Sequence, residues 1–304
     1  MSRFTGIIPP LVTPLGDDGG PDVASLEAVV ERQLAAGVDG LFALGSSGEA
    51  AYLRDEDRRT VVDVVVGTVA GAVPVFVGAV DTATRRVIDQ IRRLDRTGVA
   101  AVVVTAPFYA SVTPDETLRH FRDVAAATAL PVLAYDIPGN VGHKLDAATT
   151  SVLLLEGTIA GLKDSSGDTA QFLEVLAAVG PDRTCSVLTG ADTGALAALD
   201  AGADGIVPGI GNVEPGWFVD LLAAVRAGDR VRAEELQTRI TRLTEVFRIG
   251  ERHGIGRHAS ELGGMKTALR EAGVIASAAV SPPMSPYPDA ARRELVDVLD
   301  GARA

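Results

Sequence analysis

The chain has 304 residues, 47% of them hydrophobic, and a formal net charge of −12. That length buries a large core and slightly exceeds the ~250 residues of one α/β barrel, although length alone also allows two domains. Acidic residues outnumber basic ones, 40 against 28, which excludes a nucleic-acid surface built on clustered Lys and Arg but leaves room for a small anionic substrate at a locally positive site.

The N-terminal run Met1-Ser2-Arg3-Phe4-Thr5-Gly6 lacks the charged-then-apolar layout of an export signal and leads into a strand-like stretch over 6–13. Amphipathic spacing then predicts a helix over 23–36, a strand over 40–44, a helix over 55–70, a strand over 75–77 and a helix over 82–97. A strand over 101–105, a helix over 114–128 and strands over 132–135 and 159–163 follow, then a helix over 169–179 and strands over 186–189 and 205–207. Cys185, just before the seventh strand, is the lone cysteine, so no intrachain disulfide forms and a reducing compartment is expected. No apolar run reaches the ~18 residues of a spanning helix. A cytoplasmic protein is the expectation.

Strict strand–helix alternation implies right-handed crossovers and a parallel sheet. A weak repeat supports it: Ala36-Gly37-Val38-Asp39-Gly40-Leu41, Thr97-Gly98-Val99-Ala100-Ala101-Val102 and Ala201-Gly202-Ala203-Asp204-Gly205-Ile206 each read as a helix ending on a left-handed glycine and turning at once into a strand. Eight units favour a closed (β/α)8 TIM barrel, while a doubly wound open sheet has the same local pattern. The alternation then stops, with helices expected over 229–252, 260–271 and 289–302 and a stiff, extended connector over the proline-rich 281–288. The expected organisation is a barrel over 1–227 and a C-terminal helical extension over 228–304.

Lysine usage is the most informative oddity, because only Lys144, Lys163 and Lys266 occur among 28 basic residues. Lys163 ends the sixth strand at its C-terminal mouth, where barrel active sites lie. Desolvation there lowers a lysine pKa from about 10.4, and a value of ~7 to 8 leaves enough free amine to attack a ketone and form an iminium. An ion pair with Asp164 is the other reading. Tyr135 ends the neighbouring fifth strand, where its phenol either exchanges protons or simply caps the core, and Tyr109, beyond the fourth strand, has the same two readings.

The loop Gly45-Ser46-Ser47-Gly48-Glu49 after the second strand can turn backbone N–H groups and two hydroxyls onto a small anion, although such strings are usually only turns. It lacks the spacing of a serine-hydrolase elbow. His120, His143, His253 and His258 show no ligand-type spacing, so no metal is expected, and neither a phosphate loop nor a dinucleotide fingerprint implies a nucleotide cofactor. No cofactor of any kind is expected.

Four motifs in order, Gly45-Ser46-Ser47-Gly48-Glu49, Tyr135-Asp136-Ile137-Pro138, Gly161-Leu162-Lys163-Asp164-Ser165-Ser166-Gly167-Asp168 and Leu188-Thr189-Gly190-Ala191-Asp192, resemble the dihydrodipicolinate synthase and N-acetylneuraminate lyase family of pyruvate-dependent class I aldolases. The resemblance covers nearly the whole chain. It implies that Lys163 is the Schiff-base lysine, Tyr135 the proton-transferring phenol, and Ser46 the hydroxyl linking it to Tyr109, which in this family usually comes from a neighbouring subunit. It further implies that Ser46 and Ser47, with Gly48, hold the pyruvate carboxylate, that Ile206 and Gly190 line the pocket, and that the protein is a homotetramer. The partners implied are pyruvate and an aldehyde or 2-oxo acid.

Two departures bear on the second substrate. Asn140 stands where the synthase carries an arginine for the aldehyde's carboxylate, and asparagine cannot supply a charged bidentate fork. The 50–58 segment also lacks the histidines of the lysine-feedback site. Asn140 resembles the aldolases that cleave hydroxylated 2-oxo acids, and Asp192 can contact a sugar hydroxyl, although Thr193 replaces an acidic neighbour of the sialic-acid lyase branch. The leading expectation is therefore a Schiff-base lyase or aldolase acting on a hydroxylated 2-oxo acid. The dihydrodipicolinate synthase reaction, a dehydratase using the same Schiff base, and a non-catalytic barrel are the alternatives.

Overall fold

The computed structural model describes residues 3–94 and 98–303. In chain order its elements are β1 (Gly6–Ile7), α1 (Val23–Ala35), β2 (Leu41–Ala43), α2 (Asp55–Val69), β3 (Val75–Gly78), α3 (Thr84–Arg92), β4 (Ala101–Thr105), α4 (Pro114–Ala126) and β5 (Val132–Asp136). Then come α5 (Pro138–Val141), α6 (Ala147–Leu155), β6 (Gly161–Asp164), α7 (Thr169–Val179), β7 (Ser186–Thr189), α8 (Ala195–Asp200), β8 (Gly205–Ile206) and α9 (Pro215–Ala227). The chain finishes with α10 (Arg230–Leu243), α11 (Ile249–Arg252), α12 (Arg257–Glu271) and α13 (Asp289–Arg303).

The eight strands are all parallel, in the order β1-β8-β7-β6-β5-β4-β3-β2. The two ends of that sheet meet through one parallel bridge, Pro10 to Phe42, where Leu11 donates to the Phe42 carbonyl at 2.8 Å and Phe42 to the Pro9 carbonyl at 3.0 Å. The architecture is thus the (β/α)8 barrel, and the open doubly wound sheet is ruled out. β1 is shorter than the expected 6–13 because Pro9 and Pro10 have no N–H to extend the ladder.

The helices begin where polar side chains replace missing partners for the first backbone N–H groups. Asp22, Asp146, Asp168 and Asp229 accept from the N–H of Ser25, Thr149, Gln171 and Arg232, and Thr113 with Glu116 closes a full capping box on α4. Gly37, Gly98 and Gly202 adopt φ of 81°, 84° and 95°, so the repeat does mark left-handed exits into strands. Thr97 and the end of the expected 82–97 helix lie outside the described residues.

Inside the barrel, Ile8, Phe42, Phe76, Leu133, Tyr135 and Leu188 belong to one compact buried cluster. Two larger clusters fill the space between sheet and helices, and Ile240, Leu262, Met265, Leu295 and Leu299 carry one of them into the C-terminal helices. The extension therefore shares a core with the barrel wall. Its expected 229–252 helix is broken by a 3-10 turn at Thr244–Phe247. The 281–288 connector is not uniformly extended, since Met284 donates to the Ser281 carbonyl at 3.1 Å.

Candidate active site

Parallel register sets the first relationship. Tyr135 and Lys163 are Cα partners on β5 and β6, Thr105 pairs with Tyr135 from β4, and Leu188 pairs with Lys163 from β7. Alternation sends Lys163 and Tyr135 inward and their neighbours Asp136 and Asp164 outward. Lys163 is only 4% exposed, and its Nζ lies 3.5 Å from the centroid of the Tyr135 ring and 5.2 Å from that of Phe42. The two rings meet edge to face, with centroids 6.2 Å apart. The ammonium is thus enclosed by aromatic faces, which attract it but hydrate it poorly.

The ion-pair reading of Lys163 does not hold. Lys144 is paired with Asp136 at 2.6 Å and Lys266 with Glu49, whereas no carboxylate among the described residues lies within ion-pair distance of Lys163. Asp164 instead accepts from the Ser166 N–H at 2.8 Å. Burial pushes the Lys163 pKa below the ordinary lysine value, and Tyr135, Asp192 and Asp164 pull partly against that shift.

Ser46 Oγ lies 3.4 Å from the Tyr135 hydroxyl, so the glycine-serine loop reaches the tyrosine. The loop folds tightly: Gly48 and Ala50 donate to the Gly45 carbonyl, Glu49 donates to the Ser46 carbonyl, and Thr13 Oγ1 donates to the Gly48 carbonyl at 2.8 Å. A Cβ on Gly48 would come within 3.1 Å of the Leu11 carbonyl and the Leu44 nitrogen, so only glycine fits there without a shift. Ser46 and Ser47 are half-buried at the mouth.

On the opposite side, Gly190 donates to the Asp164 carbonyl at 2.6 Å, and a Cβ there would collide with Ser165 Oγ. Gly190 is a close-approach glycine between strand ends. Ile206 is fully buried on β8 and pairs with Thr189. Asp192 is buried, and burial pushes its pKa up to about 7, opposed by the backbone N–H groups of Ile210 and Gly209 and by Lys163. Its Oδ1 has no hydrogen-bond partner among the described residues.

A cavity of about 130 Å³ opens beside this cluster, lined among others by Ser46, Tyr52, Thr105, Phe108, Asn140 and His258. Asn140 sits on the short α5, which Pro138 starts and a left-handed Gly142 ends. Among the described residues, no arginine or lysine lines the cavity. Tyr109 stands apart from the cluster: it is 98% exposed, with a left-handed φ of 78°, so this chain does not bring it to its own Ser46.

Four contributors are not evident from sequence. Phe42 and Thr105 read as ordinary strand residues, yet Phe42 faces Lys163, and the buried Thr105 hydroxyl beside Tyr135 has no hydrogen-bond partner among the described residues. His258 comes from α12, far along the chain. Asn212 ties the loop after β8 to the segment that follows β1, accepting from the Val12 N–H at 3.0 Å and donating to the Pro10 carbonyl at 2.8 Å. Among the described residues, no group of His, Cys, Asp and Glu could hold a metal ion.

With this geometry in place, the profile of the Dihydrodipicolinate synthetase family matches residues 3–302. The chain belongs to the dihydrodipicolinate synthetase family. It is 35% identical over 244 residues to the 4-hydroxy-tetrahydrodipicolinate synthase of Acidiphilium cryptum, covering 80% of this chain and 83% of that one. It is 33% identical over 270 residues to an uncharacterized DapA-like lyase of Halobacterium salinarum, covering 87% and 88%. The solved structure of YagE, a prophage protein of this family from Escherichia coli in complex with pyruvate, superposes with a TM-score of 0.92 at 30% identity, covering 99% of both chains. The dihydrodipicolinate synthetase family is one of lyases and aldolases, and the chain is an enzyme of that kind, which sets aside the non-catalytic barrel. No helix among its described residues is long and apolar enough to cross a membrane.

Proposed function

We propose that the enzyme makes or breaks the carbon–carbon bond of a hydroxylated 2-oxo acid through a Schiff base between Lys163 and pyruvate. The observation that carries this reading is the Lys163 amine, buried, unpaired by carboxylate and held 3.5 Å from the Tyr135 ring. A lowered pKa leaves more free amine near neutral pH. In the cleavage direction, that amine attacks the C2 carbonyl of the 2-oxo acid and water leaves. The iminium nitrogen then accepts the electron pair of the breaking C3–C4 bond, giving an enamine and an aldehyde. Tyr135 takes the C4 hydroxyl proton, C3 is protonated, and water hydrolyses the imine to release pyruvate and the free amine. Ser46 and Ser47 with the Gly48 backbone hold the carboxylate, and Gly190 and Ile206 shape the pocket wall. Synthesis is the same path reversed.

The second-substrate assignment rests on the cavity. Asn140 and His258 supply hydrogen-bonding groups and no permanent cation to its lining. Such a lining suits hydroxyls better than a second carboxylate. The relatives named as synthases favour the alternative, condensation of pyruvate with aspartate semialdehyde; a 2-keto-3-deoxy sugar acid dehydratase uses the same iminium. Exposed Tyr109 fits a role across an interface, in a homotetramer in which each site borrows the neighbour's phenol.

A panel of aldehydes offered with pyruvate tests the substrate assignment. Hydroxylated aldehydes are expected to be turned over with at least tenfold higher kcat/KM than aspartate semialdehyde. The reverse order would make the synthase reading the correct one.

A further inference from the structure

Outside the reacting cluster, Glu49 and Lys266 are charged residues whose side chains are both 0% exposed. Glu49 is the last residue of the glycine-serine loop, and Lys266 lies on α12, 217 residues further along the chain. They form a direct charged hydrogen bond. The other Glu49 oxygen accepts from the Ser281 N–H at 2.6 Å, and Lys266 also donates to the Ala279 carbonyl at 2.7 Å. Each charge therefore has a charged partner and a backbone partner, the condition under which a buried pair is tolerated.

The pair bears on the site through Glu49's own backbone. Glu49 holds a left-handed φ of 57°, a conformation that a residue with a long side chain keeps only when its surroundings enforce it. Its N–H closes the loop onto the Ser46 carbonyl at 3.1 Å, and Ser46 Oγ is the atom that reaches Tyr135. Lys266 and Ser281 fix Glu49, Glu49 fixes the turn, and the turn aims the Ser46 and Ser47 hydroxyls. A hydrophobic contact could anchor the loop, but it would not fix its rotation as a carboxylate bonded through both oxygens does.

We infer that Glu49 and Lys266 are positioning residues for substrate-carboxylate binding: the C-terminal extension, through this buried pair, sets the geometry of the anion-binding loop at the barrel mouth. The inference rests on reading that loop as the cradle of the pyruvate carboxylate and on Lys163 as the Schiff-base lysine. Its consequence is selective. Loss of the pair weakens capture of a 2-oxo acid through its carboxylate, while the Lys163 amine, held by a separate aromatic cluster, keeps its reactivity toward a ketone without one.

The test measures borohydride trapping on Lys163 as a function of ketone concentration, with pyruvate and with acetone. Wild type, Lys266→Met and the charge-free double variant Glu49→Gln/Lys266→Met are compared. In Lys266→Met the half-saturating pyruvate concentration is expected to rise at least tenfold with acetone trapping unchanged. In the double variant the introduced amide oxygen can still accept from the Ser281 N–H and no charge is stranded. It is expected to recover part of that loss, and it decides the matter if the single variant does not fold. Unchanged pyruvate half-saturation in the folded variants, or equal losses for pyruvate and acetone, would overturn the coupling. Absence of any pyruvate adduct on wild type would instead overturn the underlying Schiff-base reading.

Discussion

Lys163 and Tyr135 face each other across two paired strands at the same register level, with the lysine nitrogen 3.5 Å from the centroid of the tyrosine ring. The ring desolvates the amine, and the phenolic oxygen, 3.4 Å from Ser46 Oγ, remains directed toward the loop. One side chain thus serves two purposes. Its aromatic body helps to keep water from the Lys163 amine, and under the proposed mechanism its hydroxyl moves the proton.

Those purposes separate on mutation. Tyr135→Phe keeps the ring and removes the hydroxyl, so Lys163 should still form an adduct with pyruvate while turnover falls by about 10² to 10⁴-fold, the usual loss for a general acid–base group. Steady-state kinetics beside adduct mass measurement checks this, and loss of adduct formation in step with turnover would contradict it.

Asp192 gives a pH dependence with a defined sign. Its pKa is raised to about 7 in the fold, from an unfolded value near 3.8. Between those values the folded state holds the extra proton, so this group's contribution to stability declines as pH rises from about 4 through 7 and is at its least favourable above. A shift of this size corresponds to at most about 4 kcal/mol. Asp192→Asn should flatten the decline. Denaturant unfolding of both proteins at pH 5 and pH 8, repeated in a Lys163→Met background because the two groups shift each other's pKa, measures this, and an unchanged slope would remove the titration from Asp192.

Asn140→Arg should introduce the fixed cation that the cavity lacks. A charge-assisted hydrogen bond contributes about 1.5 to 3 kcal/mol, so kcat/KM for aspartate semialdehyde should rise roughly tenfold or more relative to hydroxylated aldehydes. Competition assays with both aldehydes measure the switch. No change in the ratio would show that Asn140 does not face the second substrate.

Tyr109 predicts complementation between subunits. Lys163→Met and Tyr109→Phe should each be nearly inactive alone, yet mixed oligomers should regain activity, because one site can combine an intact Lys163 with a neighbour's intact Tyr109. Sedimentation analysis establishes the oligomer, and mixed preparations that stay inactive would place Tyr109 outside the site.

Strand ends are legible in the sequence because short β-branched runs and left-handed glycines are local signals, as at Gly37 and Gly202. Lys163 and Tyr135 stand out by scarcity and by their places on adjacent strands. Phe42, Thr105 and His258 are not legible, since nothing in a buried Phe or Thr says which side chain it will meet, and His258 arrives from a helix beyond the barrel. The Glu49–Lys266 pair is hidden for the same reason. Its two halves lie in separate local patterns, one a turn and the other a helix, and only tertiary packing joins them. The short first strand is the converse case, where Pro9 and Pro10 cut a β-branched run that composition alone extends to residue 13.

Borohydride reduction in the presence of pyruvate, followed by peptide mass mapping, asks whether Lys163 is the amine that binds pyruvate. The expected result is a single reduced pyruvate adduct on Lys163, absent in Lys163→Met and absent when pyruvate or borohydride is left out. An intact, folded enzyme that carries no adduct on Lys163, or carries it on Lys144 or Lys266 instead, would contradict the Schiff-base account.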